Sequence, residues 1–351
     1  MKRNVYRIIV RWGVPFLAIL FLVLCRYMPA LAEGYARTVY PHLSAVLSAF
    51  SSLFPFSLEE VGAVVLILWM LMLPLWLRRK GCRWKRIVGR EIEILVCVYI
   101  WFYFGWGMNY FRYSVYTRLQ ARPAAYNEQL FLDFLHSYTD SLNASYVDRV
   151  EIPIGQIHEE VKSFYQNLPE KAGLVAPKSY QKPKFFMFTP LYSGVGVLGS
   201  MGPFFAEAQL NRDLLPVQLP FTYAHEFSHL LGVSSEAEAN YWAYRACTES
   251  AMPEMRYAGY FGLMSYVASN AARLLSEEQF KEWARSIRPE IQKEYEQRQT
   301  YWKGKYSLWM GKVQDVAYNL FLKGNKISSG QKNYAEVVGL LISLQQGETV
   351  E

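Results

Sequence analysis

The chain has 351 residues, of which 52% are hydrophobic and only 19% charged, a balance that excludes a disordered or collagen-like protein. The net charge of +7 does not indicate a nucleic-acid binder, because Arg78, Arg79, Lys80, Arg83, Lys85, Arg86 and Arg90 cluster between two apolar runs, where membrane topology explains them. Cys25, Cys82, Cys97 and Cys247 show no paired spacing, so neither a disulfide scaffold nor a cysteine zinc site is indicated.

Three apolar runs precede residue 112. The first, about residues 8–27, carries Arg11 and Pro15 and follows Lys2, Arg3 and Arg7; it reads as a spanning helix with a cytoplasmic start. Ala30-Leu31-Ala32 allows a second reading, a cleaved signal peptide, while Leu24 directly before Cys25 excludes a lipoprotein. The second run, Val61 to Leu77, has no charge and ends on the basic cluster. The third, Ile94 to Phe111, is charge-free and rich in the Trp and Tyr of membrane interfaces. Such lengths also suit buried helices of a large soluble protein, but three in tandem around a basic loop favour a membrane. With that loop cytoplasmic, spans over about 61–77 and 94–111 form a hairpin with both far ends outside. The expectation is a multi-pass protein of a bacterial inner membrane, with the lipid bilayer around residues 1–111 and an extracytoplasmic domain over 112–351.

That domain is expected to be mainly α. Helical periodicity covers Glu128–Asn143, Ile157–Leu168, Met255–Leu275, about Pro289–Leu322, and about Tyr334–Leu344, whose apolar face is Val337, Val338, Leu341 and Leu344. A small β element is confined to the middle, with strands at Lys184–Thr189 and Phe204–Leu210 around the glycine-rich Ser193–Gly202. His158, on an amphipathic helix, reads as solvated, as do His42 and His136.

Pro216 to Gly232 reads PVQLPFTYAHEFSHLLG, with Pro220 suited to the first turn of a helix and Gly232 to its C-terminal cap. His225-Glu226-Phe227-Ser228-His229 is an HExxH. Residues four apart on a helix share a face, so both imidazoles reach one ion. Glu226, one residue along, is angled to meet a water on that ion rather than to ligate it. Zinc would lower the pKa of the water toward ~7, and Glu226 would take the proton as general base while the oxygen attacks a carbonyl.

Such a zinc site needs a third protein ligand, and Ser234-Ser235-Glu236-Ala237-Glu238-Ala239-Asn240 offers Glu236 or Glu238, which point to different faces. Ser235 and Glu238 fit a capping box, giving Glu238 a structural role worth about 1 kcal/mol or less. Glu236 and Asn240 share a face with the small Ala243 and Cys247, which would let this helix approach the HExxH helix. Glu236 is therefore the expected third ligand, Glu238 the alternative, and Asn240 a hydrogen-bond partner of a ligating histidine. Tyr223, Tyr241 and Tyr244 are candidates for stabilising the transition state, and nothing in the sequence selects among them.

The Glu236-to-Asn240 pattern resembles the ExxxD helix of the CAAX prenyl protease and its bacterial heat-shock relatives, in which the first Glu ligates zinc; here Asn240 stands for the Asp, and the gap after HExxH is far shorter. A closer resemblance is to a bacterial membrane family of unassigned function, described by motif as zinc metallopeptidases. It rests on Trp106-Gly107-Met108-Asn109-Tyr110, on the segment from Pro203 through Glu207 and Ala208 to Asn211, on the HExxH with its flanking Pro and Gly, and on the ExEAN segment. The segment Pro203–Asn211 also resembles the edge strand on which zinc peptidases bind an extended peptide, making Glu207 and Asn211 candidate substrate-binding residues; the alternative is an ordinary structural strand.

These expectations describe a membrane-anchored zinc metallopeptidase with a mostly helical, zincin-like domain, one zinc ion per chain and a peptide or protein substrate. The rival readings are an inactive zincin-like membrane adaptor and a zinc hydrolase of a non-peptide amide or ester.

Overall fold

The computed structural model describes residues 9–125, 127–309 and 336–348. The chain is mostly helical with one small three-stranded sheet, the mainly α class expected. It divides into two compact units: one runs to Tyr113 and also takes in Gly202–Glu207, and the other comprises Ser114–Met201 and the chain from Ala208.

In the first unit, the leading apolar run is a π-helical turn at Ile9–Gly13 followed by α1 (Val14–Tyr27), and a bend of 112° separates it from α2 (Pro29–Thr38). Pro29 suits a first helical turn but has no N–H with which to continue α1, so the helix ends at Tyr27, where the span expected over about 8–27 also ends, and the chain turns into α2. After α3 (Tyr40–Ser52) comes α4 (Leu58–Arg79), long and apolar enough by itself to cross a membrane. Its charges lie only at its ends, with Glu59 and Glu60 in the first turn and Arg78 and Arg79 in the last, each complementing the helix dipole. By contrast, α5 (Trp84–Gly105) begins ten residues before the expected third span, inside the basic segment. It includes Lys85, Arg86, Arg90, Glu91 and Glu93, and so is not an apolar span of the same kind as α4. The chain leaves it at Gly105 for a 3₁₀ turn at Gly107–Phe111, so the helix ends before the expected span does and the WGMNY segment lies beyond it.

Two carboxylates organise this unit. Glu33 is buried and receives Arg112 through two bonds of 2.9 and 2.8 Å and Arg37 through one of 2.7 Å. Glu207, also buried, accepts from Ser57 Oγ at 3.0 Å and from the N–H groups of Leu58 and Glu59 at 3.1 and 3.2 Å. Glu59 answers by accepting from the N–H of Phe204 at 3.1 Å. The segment Gly202–Glu207 thus satisfies N–H groups at the start of α4 that have no partner within that helix.

The second unit contains α6 (Glu128–Ser145), α7 (Ile154–Gln166), β1 (Lys184–Phe185), β2 (Gly199–Gly202), β3 (Glu207–Leu210), α8 (Leu219–Leu230), α9 (Glu236–Thr248), α10 (Pro253–Leu274), α11 (Glu277–Ser286), α12 (Pro289–Lys305) and α13 (Glu336–Glu348); β2 and β3 extend into the Gly202–Glu207 segment. The strand expected from Lys184 ends at Phe185, because Thr189-Pro190 opens a short helix. The helix expected to reach Leu322 stops at Lys305, and its residues from 310 lie outside those described. In the sheet, order β1-β3-β2, β1 runs parallel to β3 with Lys184 opposite Gln209 and Phe185 opposite Leu210.

The core forms around α8 and α9, which are buried on nearly every side and packed on α10. On α10, a Cβ at Gly259 would come within 2.7 Å of Cys247 Cβ on α9, and one at Gly262 within 2.6 Å of Phe221 Cδ2 on α8. Gly262→Ala is expected to lower stability by about 1–3 kcal/mol, outweighing a helix-propensity gain of up to about 1 kcal/mol, because Phe221 is buried and cannot retreat. Urea denaturation of the purified variant beside its parent measures the difference.

Candidate functional site

Pro220 stands in the first turn of α8, and the HExxH occupies its last two turns. The helix ends because Gly232 takes φ of +99°, in the left-handed region open to glycine, and the N–H of Val233 reaches back to the carbonyl of Ser228 at 3.1 Å. This turn places the Val233 carbonyl beside His229, whose Nδ1 lies 2.7 Å from it. Three residues later α9 begins, with Ser235 Oγ accepting from the N–H of Glu238.

His225 Nδ1 lies 3.0 Å from Asn240 Oδ1. A carbonyl oxygen only accepts, so His229 Nδ1 carries a proton toward Val233, and the Asn240 oxygen asks the same of His225. Each ring then directs Nε2 inward. The two Nε2 atoms are 3.1 Å apart, and Glu236 Oε2 lies 3.2 Å from that of His225 and 3.7 Å from that of His229. His225, His229 and Glu236 each offer one ligand atom, all within 4.8 Å of one another, an arrangement that could hold a metal ion.

The electrostatics of these groups are strongly coupled. Burial works against a charged His229, but the Glu236 carboxylate outweighs it and holds the imidazole up at about 9. Burial likewise opposes ionisation of Glu236, yet the two histidines hold it well below the usual carboxylate range. Burial pushes the Glu226 carboxyl up, with His225 and His229 pulling the other way. Gly199, at the start of β2, lies directly against Glu226: a Cβ there would stand 2.7 Å from Oε1. The glycine-rich stretch before residue 202 is therefore the wall behind that carboxylate.

The remaining candidates stand elsewhere. Glu238 is not in the cluster: its carboxylate pairs with Arg118 and accepts from Trp242 Nε1 at 3.0 Å, leaving only the Ser235 half of the expected capping box. Glu207 caps α4. Asn211 is wholly buried and bonds Ser193 and the carbonyl of Val197, at 3.0 and 2.8 Å. Neither is placed to meet a substrate, and β3 is the middle strand of the sheet, so Pro203–Asn211 is not an edge; β2 is. His158 is buried rather than solvated, its Nδ1 2.6 Å from Tyr223 Oη. Arg118 and Gly199 carried no local signal of their roles, except that Gly199 belongs to a run of glycines.

A family model described as "Protein of unknown function (DUF3810)" matches residues 35–342, and the chain belongs to that family. No curated protein and no solved structure matches it.

Because the Arg118 and Glu238 side chains are only 2% and 5% exposed, removing one strands the other. Glu238→Ala is therefore expected to cost about 3–5 kcal/mol, well beyond a lost cap. Thermal unfolding of Glu238→Ala against the double variant Arg118→Met/Glu238→Ala, expected to recover much of the loss, separates the ion pair from the cap.

Proposed function

We propose that the protein is a membrane-anchored metallopeptidase of the HExxH type, with His225, His229 and Glu236 as ligands of one zinc ion and Glu226 as general base. The observation that carries this reading is the convergence of two imidazole Nε2 atoms and a carboxylate oxygen within 4.8 Å, with both Nδ1 atoms facing carbonyl oxygens. Two nitrogens and one oxygen match the preference of zinc and leave a position for water.

A bound zinc ion would supply Lewis acidity, bringing the pKa of a water toward ~7. The rest is done by the chain. Asn240 and Val233 fix the imidazole tautomers, and Glu226 takes the proton of the attacking water and passes it to the leaving amine. β2 offers an edge free within the sheet, and its first residue touches Glu226. An extended peptide adding there as a further strand would run beside the base, which favours a peptide over a lipid or other non-peptide amide.

The purified chain is expected to hold one zinc per molecule and to cleave a library of internally quenched peptides. Glu226→Gln should keep the metal and lose turnover by about 10²–10⁴-fold; Glu236→Ala should lose zinc to a weak chelator. Zinc with no turnover in the parent would favour the inactive adaptor, and no metal in the parent would end the reading.

The orientation follows from α4, whose Arg78-Arg79-Lys80 end belongs in the cytoplasm, with α1 and α5 as accompanying spans in a bacterial inner membrane. Reporter fusions after Lys80 are expected to register cytoplasm and those after Tyr113 periplasm; the opposite pattern would invert the site.

A further inference from the structure

A hydrolase of this kind needs a group that meets the carbonyl oxygen as it becomes negative. The tyrosines nearest in sequence do not serve. Tyr223 is buried with its hydroxyl on His158, and Tyr241, also buried, has its hydroxyl on Arg245 at 3.2 Å. Tyr244 lies two helical turns beyond Glu236, about 12 Å along the axis, and packs edge-on against Tyr260 with ring centroids 5.5 Å apart.

The phenol that reaches the site comes from α10. Gly259 presses on α9 and Gly262 on α8, and the absence of side chains there draws α10 against both. Tyr266, four residues beyond Gly262 and seven beyond Gly259, lies on the same face, so its side chain is directed at the same two helices. Its hydroxyl lies by the Asn240 side chain and within the fields of Glu236 and Glu226. Asn240 has given its oxygen to His225, and its buried Nδ2 has no hydrogen-bond partner among the described residues. Tyr266 is half-buried, whereas Tyr223 and Tyr241 are buried. Burial first, then Glu236, pushes its pKa up to about 12, so it keeps its proton at neutral pH.

We propose that Tyr266 is the oxyanion donor of this site: its O–H donates a hydrogen bond to the oxygen of the scissile carbonyl as that oxygen takes on charge, and retains its proton throughout. The inference rests on the metallohydrolase reading above, and its test separates the two. The full chain in detergent is loaded with cobalt(II), and binding of methylphosphonate, a tetrahedral oxyanion, and of azide is followed by the cobalt visible spectrum. Tyr266→Phe is expected to take up cobalt like the parent, to bind azide within about twofold of it, and to bind methylphosphonate about tenfold more weakly, the loss of one hydrogen bond to an anion. Tyr266→His, which retains a donor, is expected to recover part of that affinity and serves should the Phe variant not fold. Equal methylphosphonate affinity in parent and Tyr266→Phe would overturn the assignment. So would no methylphosphonate binding by the loaded parent, or a parallel loss of azide and cobalt, which would make Tyr266 a mere support for Asn240. A parent that takes up no cobalt would overturn the metal reading itself.

Discussion

An imidazole whose Nδ1–H is committed to a carbonyl has only the lone pair on Nε2 left to offer. Here two such lone pairs and a carboxylate oxygen face one another at about van der Waals distance or less, an arrangement that is repulsive unless a proton or a cation lies among them. The high His229 pKa and the low Glu236 pKa express that demand in protons. Much of the surrounding architecture serves to impose the convergence. The left-handed turn at Gly232 puts a carbonyl under His229, the short link to Ser235 starts α9 at the angle that returns Glu236 and Asn240 to α8, and α9 carries small residues where it meets its neighbours.

The burial of α8 and α9 on almost all sides has a cost that the unit meets with internal partners. Glu238 lies two residues from Glu236 on the same helix, and a free carboxylate there would compete with it for the histidines. Its engagement by Arg118 and Trp242 removes that competition. The choice between the two acids is thus made by a cation 120 residues earlier in the chain.

The parts of the site legible in the sequence were those set by helical spacing. His225, His229, Glu236 and Asn240 are related by intervals of four within two helices, and Pro220 and Gly232 announce the ends of the first. What depended on distant partners was not legible. The same Glu238 that fits a capping box locally is claimed by Arg118, and Glu207, shortly before α8 in sequence, is drawn away to the start of α4. His158 looked solvated because its helix is amphipathic, yet it falls on the buried side. In the first unit the apolar runs were plain, but the last is not coextensive with its helix: α5 begins among charges that a hydropathy reading assigns to a loop and ends at Gly105, before the run does.

The clamp between Glu207 and the beginning of α4 joins residues about 150 positions apart. Closing so long a loop is a late event in folding, since the chain through residue 207 must exist before Ser57, Leu58 and Glu59 find their acceptor. During synthesis the first helices therefore wait, incompletely capped, for a segment that arrives after most of the first half of the second unit has been made. A cut that separated the two units at Tyr113 would not yield two finished pieces. It would leave the start of α4 without its carboxylate and the Phe204-Phe205 tip without the Gly62 and Trp101 surfaces that receive it.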